Sequence, residues 1–221
     1  MLRWRLRDRW SPSSQRLTSR VYPDYAAYVK HQRTKFDAMR HRSLRNHDSR
    51  FYEVLRSRLR SLPHALHGKS VLCLGARQGS EVRAFIDAGA FALGVDLNPG
   101  RDNRYVVSGD FHALQFAAGS VDVVYTNALD HAFDLDRILD EVRRVLATGG
   151  LFIAEVGPGS EEGGRPGFYE SLVWPHVAEL IRRMADRGFE LECRSRFEHP
   201  WPGEQLVLRA GVPRDAIASL S

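Results

Sequence analysis

At 221 residues, 43% of them hydrophobic, the chain is long enough for one well-buried core plus an extension. It has no apolar run long enough for a membrane-spanning helix, and nothing near residue 1 reads as a secretory signal. The net charge of +5 is unevenly placed: residues 1–70 hold 17 Lys and Arg against 5 Asp and Glu, while the other 151 hold 15 against 22.

In chain order, residues 1–10 set Leu2, Leu6 and Trp10 at helical intervals, with Trp4 alongside and arginines on the other side. That pattern suits an interfacial helix on anionic lipid, a basic disordered end, or a segment covering an active site of its own or a partner chain in a homodimer. Residues 11–14 read as a break. Spaced apolar residues predict helices over 25–39 (Tyr25, Tyr28, Val29, Phe36, Met39) and 50–62 (Phe51, Val54, Leu55, Leu59, Leu62), the second ended by Leu62-Pro63. From Lys69 onward the character changes. Strand patterns at 70–74, 90–96, 105–108, 121–126, 151–156, 189–197 and 205–210 alternate with helices at 80–88, 135–146 and 168–188, with a short one near 112–116. The first five strands are continuous apolar runs, as parallel strands buried on both faces should be. The last two are more mixed and suit an antiparallel edge. The division predicts a basic helical extension over 1–68 and one α/β domain over 69–221. Residues 157–167, rich in Gly and Pro, read as an irregular loop. Cys73 and Cys193 lie in apolar strands and read as buried free thiols of a reducing, cytoplasmic compartment; no zinc-ligand spacing occurs.

The chemistry concentrates at strand ends. Val71-Leu72-Cys73-Leu74-Gly75-Ala76-Arg77-Gln78-Gly79-Ser80 is an apolar strand, a Gly-bounded turn and a helix start, a geometry that lets backbone approach a ligand closely. It is not the dinucleotide fingerprint, since Arg77 and Ser80 replace its second and third glycines. Asp96 ends the second strand of this region, followed by Leu97. A carboxylate there suits the two hydroxyls of a ribose, or else caps the turn at Asn98-Pro99. Gly109-Asp110-Phe111 follows the third strand, where an acidic residue beside an apolar one suits adenine, or else caps the next segment. Asn127 follows the fourth strand, and Leu129-Asp130-His131 precedes an amphipathic helix and the Gly149-Gly150 turn.

Taken together, these residues resemble the class I S-adenosylmethionine (SAM)-dependent methyltransferases, in their small-molecule, type 11-like branch, over about residues 69–156. The resemblance implies a Rossmann-like, doubly wound, mostly parallel seven-stranded sheet with an antiparallel edge. It also implies SAM as cofactor, S-adenosylhomocysteine as product, and a cofactor site built from Gly75, Ala76, Arg77, Gly79, Asp96, Leu97, Asp110, Phe111 and Asn127. Two positions depart from the family: Cys73 replaces the usual strand-end acid that helps to position the methionine end, and Arg77 replaces the central glycine. Arg77 is placed either to meet the SAM carboxylate or to turn toward an acidic neighbour.

Methyl transfer needs alignment of the acceptor and removal of its proton. His131 is the expected general base, with Asp130 to orient it or to act as base itself. No Asn/Asp-Pro-Pro-Tyr or Pro-Cys motif follows the fourth strand, which points away from exocyclic-amine and pyrimidine-carbon methylation. A small-molecule hydroxyl is the leading acceptor, an amine the second, with His176, His199 and Trp201 as further candidates for the acceptor pocket. No metal site is expected. The rival readings are an RNA methyltransferase using the basic arm, a nicotinamide oxidoreductase, and a silent SAM-binding relative.

Overall fold

The computed structural model describes residues 9–12, 16–38 and 41–211. The proposed interfacial helix of residues 1–10 therefore lies almost wholly outside the described residues, as do the side chains of Phe36 and Met39.

A seven-stranded sheet forms the centre. Its strands are β3 (Ser70–Leu74), β4 (Phe91–Asp96), β5 (Val106–Ser108), β6 (Val121–Thr126), β7 (Leu146–Val156), β9 (Phe189–Phe197) and β10 (Gly203–Ala210). They lie in the order β5-β4-β3-β6-β7-β10-β9. The first five pair in parallel, and β10 pairs antiparallel with both β7 and β9. This is the mostly parallel, doubly wound sheet with an antiparallel edge that the residue patterns call for. Strand pleating splits the core in two. Leu72, Leu74, Val124 and Phe152 meet Ile138, Leu139 and Val142 of α4 (Leu135–Val145) and Leu180 and Met184 of α5 (Val177–Asp186). On the other face Val71, Cys73, Val123 and Tyr125 meet Phe51 and Leu55 of α2 (His41–Arg60) and Val82 and Phe85 of α3 (Ser80–Asp87). Asp134 caps α4 by accepting a bond from the Arg137 N–H at 3.1 Å.

The chain order reverses at β3, whose neighbours are β4 and β6, and this switch point opens a crevice at the strands' carboxyl ends. α1 (Tyr25–Ala38) lies across that crevice. It is tied down by Tyr28 Oη donating to His131 O at 3.1 Å, Gln32 Nε2 to Tyr169 O at 2.8 Å and Arg33 Nε to Leu97 O at 3.1 Å.

Four expectations need correction. The N-terminal region is not purely helical: β1 (Trp10–Pro12) and β2 (Thr18–Arg20) form a second sheet with β8 (Leu172–Val173). The helix expected over 168–188 starts only at Val177, because Pro175 lacks an N–H and biases Trp174 toward extended backbone. Residues 112–116 form no helix. There Asp110 closes a turn instead, its Oδ1 accepting the His112 N–H at 2.8 Å and its carbonyl accepting the Ala113 N–H at 3.0 Å. Finally α2 begins at His41 rather than near residue 50.

The turn after β3 depends on Gly79, at φ +86°, where an added Cβ would lie 2.7 Å from Tyr105 Cβ. Gly79→Ala is therefore expected to cost about 1–3 kcal/mol, read as a lower urea midpoint at unchanged m-value.

Candidate active site

The crevice encloses a cavity of about 340 Å³ at the carboxyl ends of β3, β4, β6 and β7, with α1 and α2 as its remaining walls. Of the residues expected to hold a cofactor, Gly75, Arg77, Asp96, Leu97, Phe111 and Asn127 line it, as do Asp130 and His131. Ala76, Gly79 and Asp110 do not. Ala76 is buried against Gly94, and Gly79 shapes the turn. The Asp110 carboxylate is taken up by the Tyr25 hydroxyl and by His112, whose ring Nδ1 lies 2.9 Å from Oδ1; it anchors α1 rather than facing the cavity. Trp201 lines the cavity. His176 instead meets Glu161 at 2.9 Å, and His199 offers its carbonyl to Arg58 at 2.8 Å.

At one end of the cavity Asp96 sits between Val95 and Leu97, with Phe111 nearby. Its two oxygens each accept one backbone N–H, from Arg77 at 3.0 Å and Asn98 at 2.8 Å, which leaves lone pairs free for a bound diol. Arg77 holds a left-handed backbone, φ +45°, in the place where the family has glycine, and its Nη1 lies 4.0 Å from Asp48 Oδ1 of α2. It faces the cavity and an acidic neighbour together.

Beyond β6 the His131 ring is fixed by donating from Nδ1 to Tyr169 O at 2.8 Å. That bond leaves Nε2 as the acceptor, and Lys35 Nζ donates to it at 2.6 Å. Asp130 does not orient the ring, since its Oδ1 stays 3.8 Å from Nε2. Burial, and then the Lys35 charge, hold His131 neutral well below the usual imidazole range. Burial, assisted by the Arg77 charge, brings the Lys35 amine down to about 8. Asp130 is pushed upward by burial, with Lys35 opposing. Asp130 Oδ1 and Glu170 Oε2 are buried oxygens without a hydrogen-bond partner among the described residues.

Lys35, Glu81 and Glu170 escaped the reading of the sequence. The one signal for Lys35 was scarcity, as only 3 of the 32 basic residues are lysine. Glu170 arrives with the loop before β8. It brings ligating atoms of Asp130, His131 and Glu170 within 4.8 Å of one another, a grouping that no sequence spacing announced. The Lys35 ammonium already supplies a cation beside it.

The strand order and the crevice at the strands' carboxyl ends are those of solved SAM-dependent methyltransferases. The solved structure of Burkholderia thailandensis 1,6-didemethyltoxoflavin-N1-methyltransferase, with 1,6-didemethyltoxoflavin and S-adenosylhomocysteine bound, superimposes at TM-score 0.69, 18% identity, covering 91% of this chain and 98% of that one. The complex between the Haloferax volcanii Trm112 methyltransferase activator and a methyltransferase matches at TM-score 0.64 and 21% identity, covering 83% and 99%. A Mesorhizobium loti SAM-dependent methyltransferase matches at 0.57 and 19%, covering 69% and 96%. No curated protein matches in sequence. Residues 72–154 match the family described as a methyltransferase domain, so the chain carries a methyltransferase domain over that stretch, and the cofactor that the sequence resemblance implies is SAM. The cavity's residues fit that group: a carboxylate with spare lone pairs for a ribose, apolar walls for a purine, and a charged far wall.

Proposed function

We propose that the protein methylates a hydroxyl group of a small polar molecule, with Lys35 as the base and His131 as the residue that positions it. The carrying observation is the Lys35–His131 contact in the wall of the cavity. When bound, SAM supplies an electrophilic methyl group on a sulfonium. The acceptor oxygen forms its bond to carbon as the carbon–sulfur bond breaks, and its proton needs a home. An amine with a pKa of about 8 is free above that pH, and it is then a far stronger base than an imidazole held neutral deep into the acid range. His131 holds the amine through Nε2, while Asp130 Oδ1 and Glu170 Oε2 stand ready to accept further O–H or N–H groups of the acceptor. A molecule with several donors, such as a sugar or a hydroxylated natural product, meets these demands.

Residues 1–68 act in this reading as a lid that also brings the base. Asp96, Leu97, Phe111, Gly75 and Asn127 hold the cofactor. The cavity's closure by α1 favours a small acceptor over RNA. The Burkholderia neighbour, crystallised with a small heterocycle, supports the same choice and keeps a ring nitrogen as the second acceptor type. The free thiols Cys73 and Cys193 favour a reducing, cytoplasmic setting.

The test is a screen of hydroxylated and nitrogen-heterocyclic compounds with methyl-labelled SAM, run beside calorimetry with S-adenosylhomocysteine. A labelled small-molecule product supports the reading; label appearing only in RNA would overturn it. Asp96→Ala is expected to weaken S-adenosylhomocysteine binding about 10- to 100-fold, from the loss of charge-assisted bonds to the ribose.

A further inference from the structure

The sequence lacks the acidic residue that this family carries in its first strand; Cys73 stands there, wholly buried. The structure holds a carboxyl nearby from a different element. Glu81, in the first turn of α3, is 6% exposed, lines the cavity, and interacts with the Cys73 side chain. Asn127 Nδ2 lies 3.5 Å from its Oε1, at the long limit of a hydrogen bond, and among the described residues no cation lies within salt-bridge distance of it, the Arg77 charge acting from farther off. Arg77 lines the same cavity from the turn before α3.

We propose that Glu81 has taken over the role of the missing strand acid, binding the α-ammonium of the cofactor's amino-acid moiety while Arg77 faces its α-carboxylate. This rests on the SAM reading above and deepens it. A buried carboxyl without a cation is costly to ionise, and an arriving ammonium removes that cost. Glu81 and Arg77 then form a matched pair for a zwitterion: one departure from the family, Cys73, is compensated by Glu81, and the other, Arg77, gains a purpose that repays its left-handed backbone.

The groups facing Glu81 are Arg77 from the turn, Asp48 from α2, Asp96 at the end of β4, Cys73 from β3 and Tyr125 from β6. Burial dominates among them and raises the Glu81 carboxyl to about 8, so the ligand-free protein carries it protonated at pH 7. Capture of an ammonium lowers that value and releases a proton.

The experiment is calorimetry at pH 7 in buffers of different ionisation enthalpy, with two ligands. S-adenosylhomocysteine carries the amino-acid moiety, and 5′-methylthioadenosine lacks it. The wild type is expected to bind both, with proton release only on binding S-adenosylhomocysteine. Glu81→Gln, which keeps shape and removes charge, is expected to weaken S-adenosylhomocysteine about 10- to 100-fold, to leave 5′-methylthioadenosine unchanged, and to abolish proton release. Equal weakening of both ligands, or no weakening, would overturn the role of Glu81 while leaving the SAM reading intact. Failure of the wild type to bind either ligand would overturn both.

Discussion

Lys35→Met is expected to lower methyl-transfer turnover about 10²- to 10⁴-fold, the usual worth of a positioned base, with S-adenosylhomocysteine affinity essentially unchanged. The Met side chain fills the same channel between His131 and Tyr169, so the loss isolates the amine. Lys35→Arg is the sharper variant. A guanidinium restores the positive charge and the bond to His131 Nε2, yet it cannot give up its proton. If Lys35 served only as a structural cation, Arg would restore turnover; as a base, it leaves the enzyme as slow as Met does. The pH dependence carries a sign. The Lys35 pKa is lowered, so the competent free amine exists above about pH 8, and kcat/KM should fall about tenfold per unit below it. A wild-type profile flat from pH 6 to 8, or full turnover in either variant, would return the assignment to His131.

How far the sequence exposed this site follows from where each residue sits. The inner parallel strands were legible because burial on both faces leaves apolar runs, and Ser70–Leu74 and Val121–Thr126 run between the same residues in sequence and structure, as does the mostly exposed edge strand Phe189–Phe197. Gly75, Asp96 and His131 were legible because a parallel sheet delivers every strand end to one edge. β1, β2 and β8 were not, since segments of two or three residues carry no periodicity to read. Lys35 was invisible for another reason: its place beside His131 is set by how α1 crosses the sheet edge, a contact spanning 96 residues. Asp110 shows the converse, a motif position that the fold uses for another purpose. The Tyr25 hydroxyl and the His112 ring bond to it, so the carboxylate anchors α1. Glu81 lay in view beside the Gly-bounded turn, but a carboxylate at a helix start has an ordinary explanation in the helix dipole. Only its burial beside Cys73 separates the two readings.

The largest effect on stability is expected from Arg58→Ala. Arg58 reaches from α2 to the floor of the cavity and holds Glu155 of β7 through two bonds, Nε to Oε1 at 2.8 Å and Nη2 to Oε2 at 2.6 Å. Glu155 has no exposed side-chain surface, and its one other partner here is Gln205 Nε2 at 2.9 Å. The guanidinium also lies 4.1 Å from the centroid of the Phe197 ring and donates from Nη1 to His199 O. Truncating Arg58 strands a carboxylate in the interior, which costs about 3–5 kcal/mol, a large share of the roughly 5–15 kcal/mol that such a domain holds in total. Urea unfolding would show it as a fall in midpoint at constant m. The charge and the packing separate in a second variant. Arg58→Met with Glu155→Gln removes both charges and keeps most of the volume, and it is expected to recover more than half of the loss. If the double variant were no more stable than Arg58→Ala, the cost would lie in the lost contacts with Phe197 and His199. Glu155 also lines the cavity, so a ligand that binds only the folded state reports whether the variant still forms it. Saturating S-adenosylhomocysteine at a hundred times its Kd adds about 2.7 kcal/mol to any variant that still forms the cavity. Such a rise in Arg58→Ala would show that the pair between α2 and β7 supports the site without being needed to shape it.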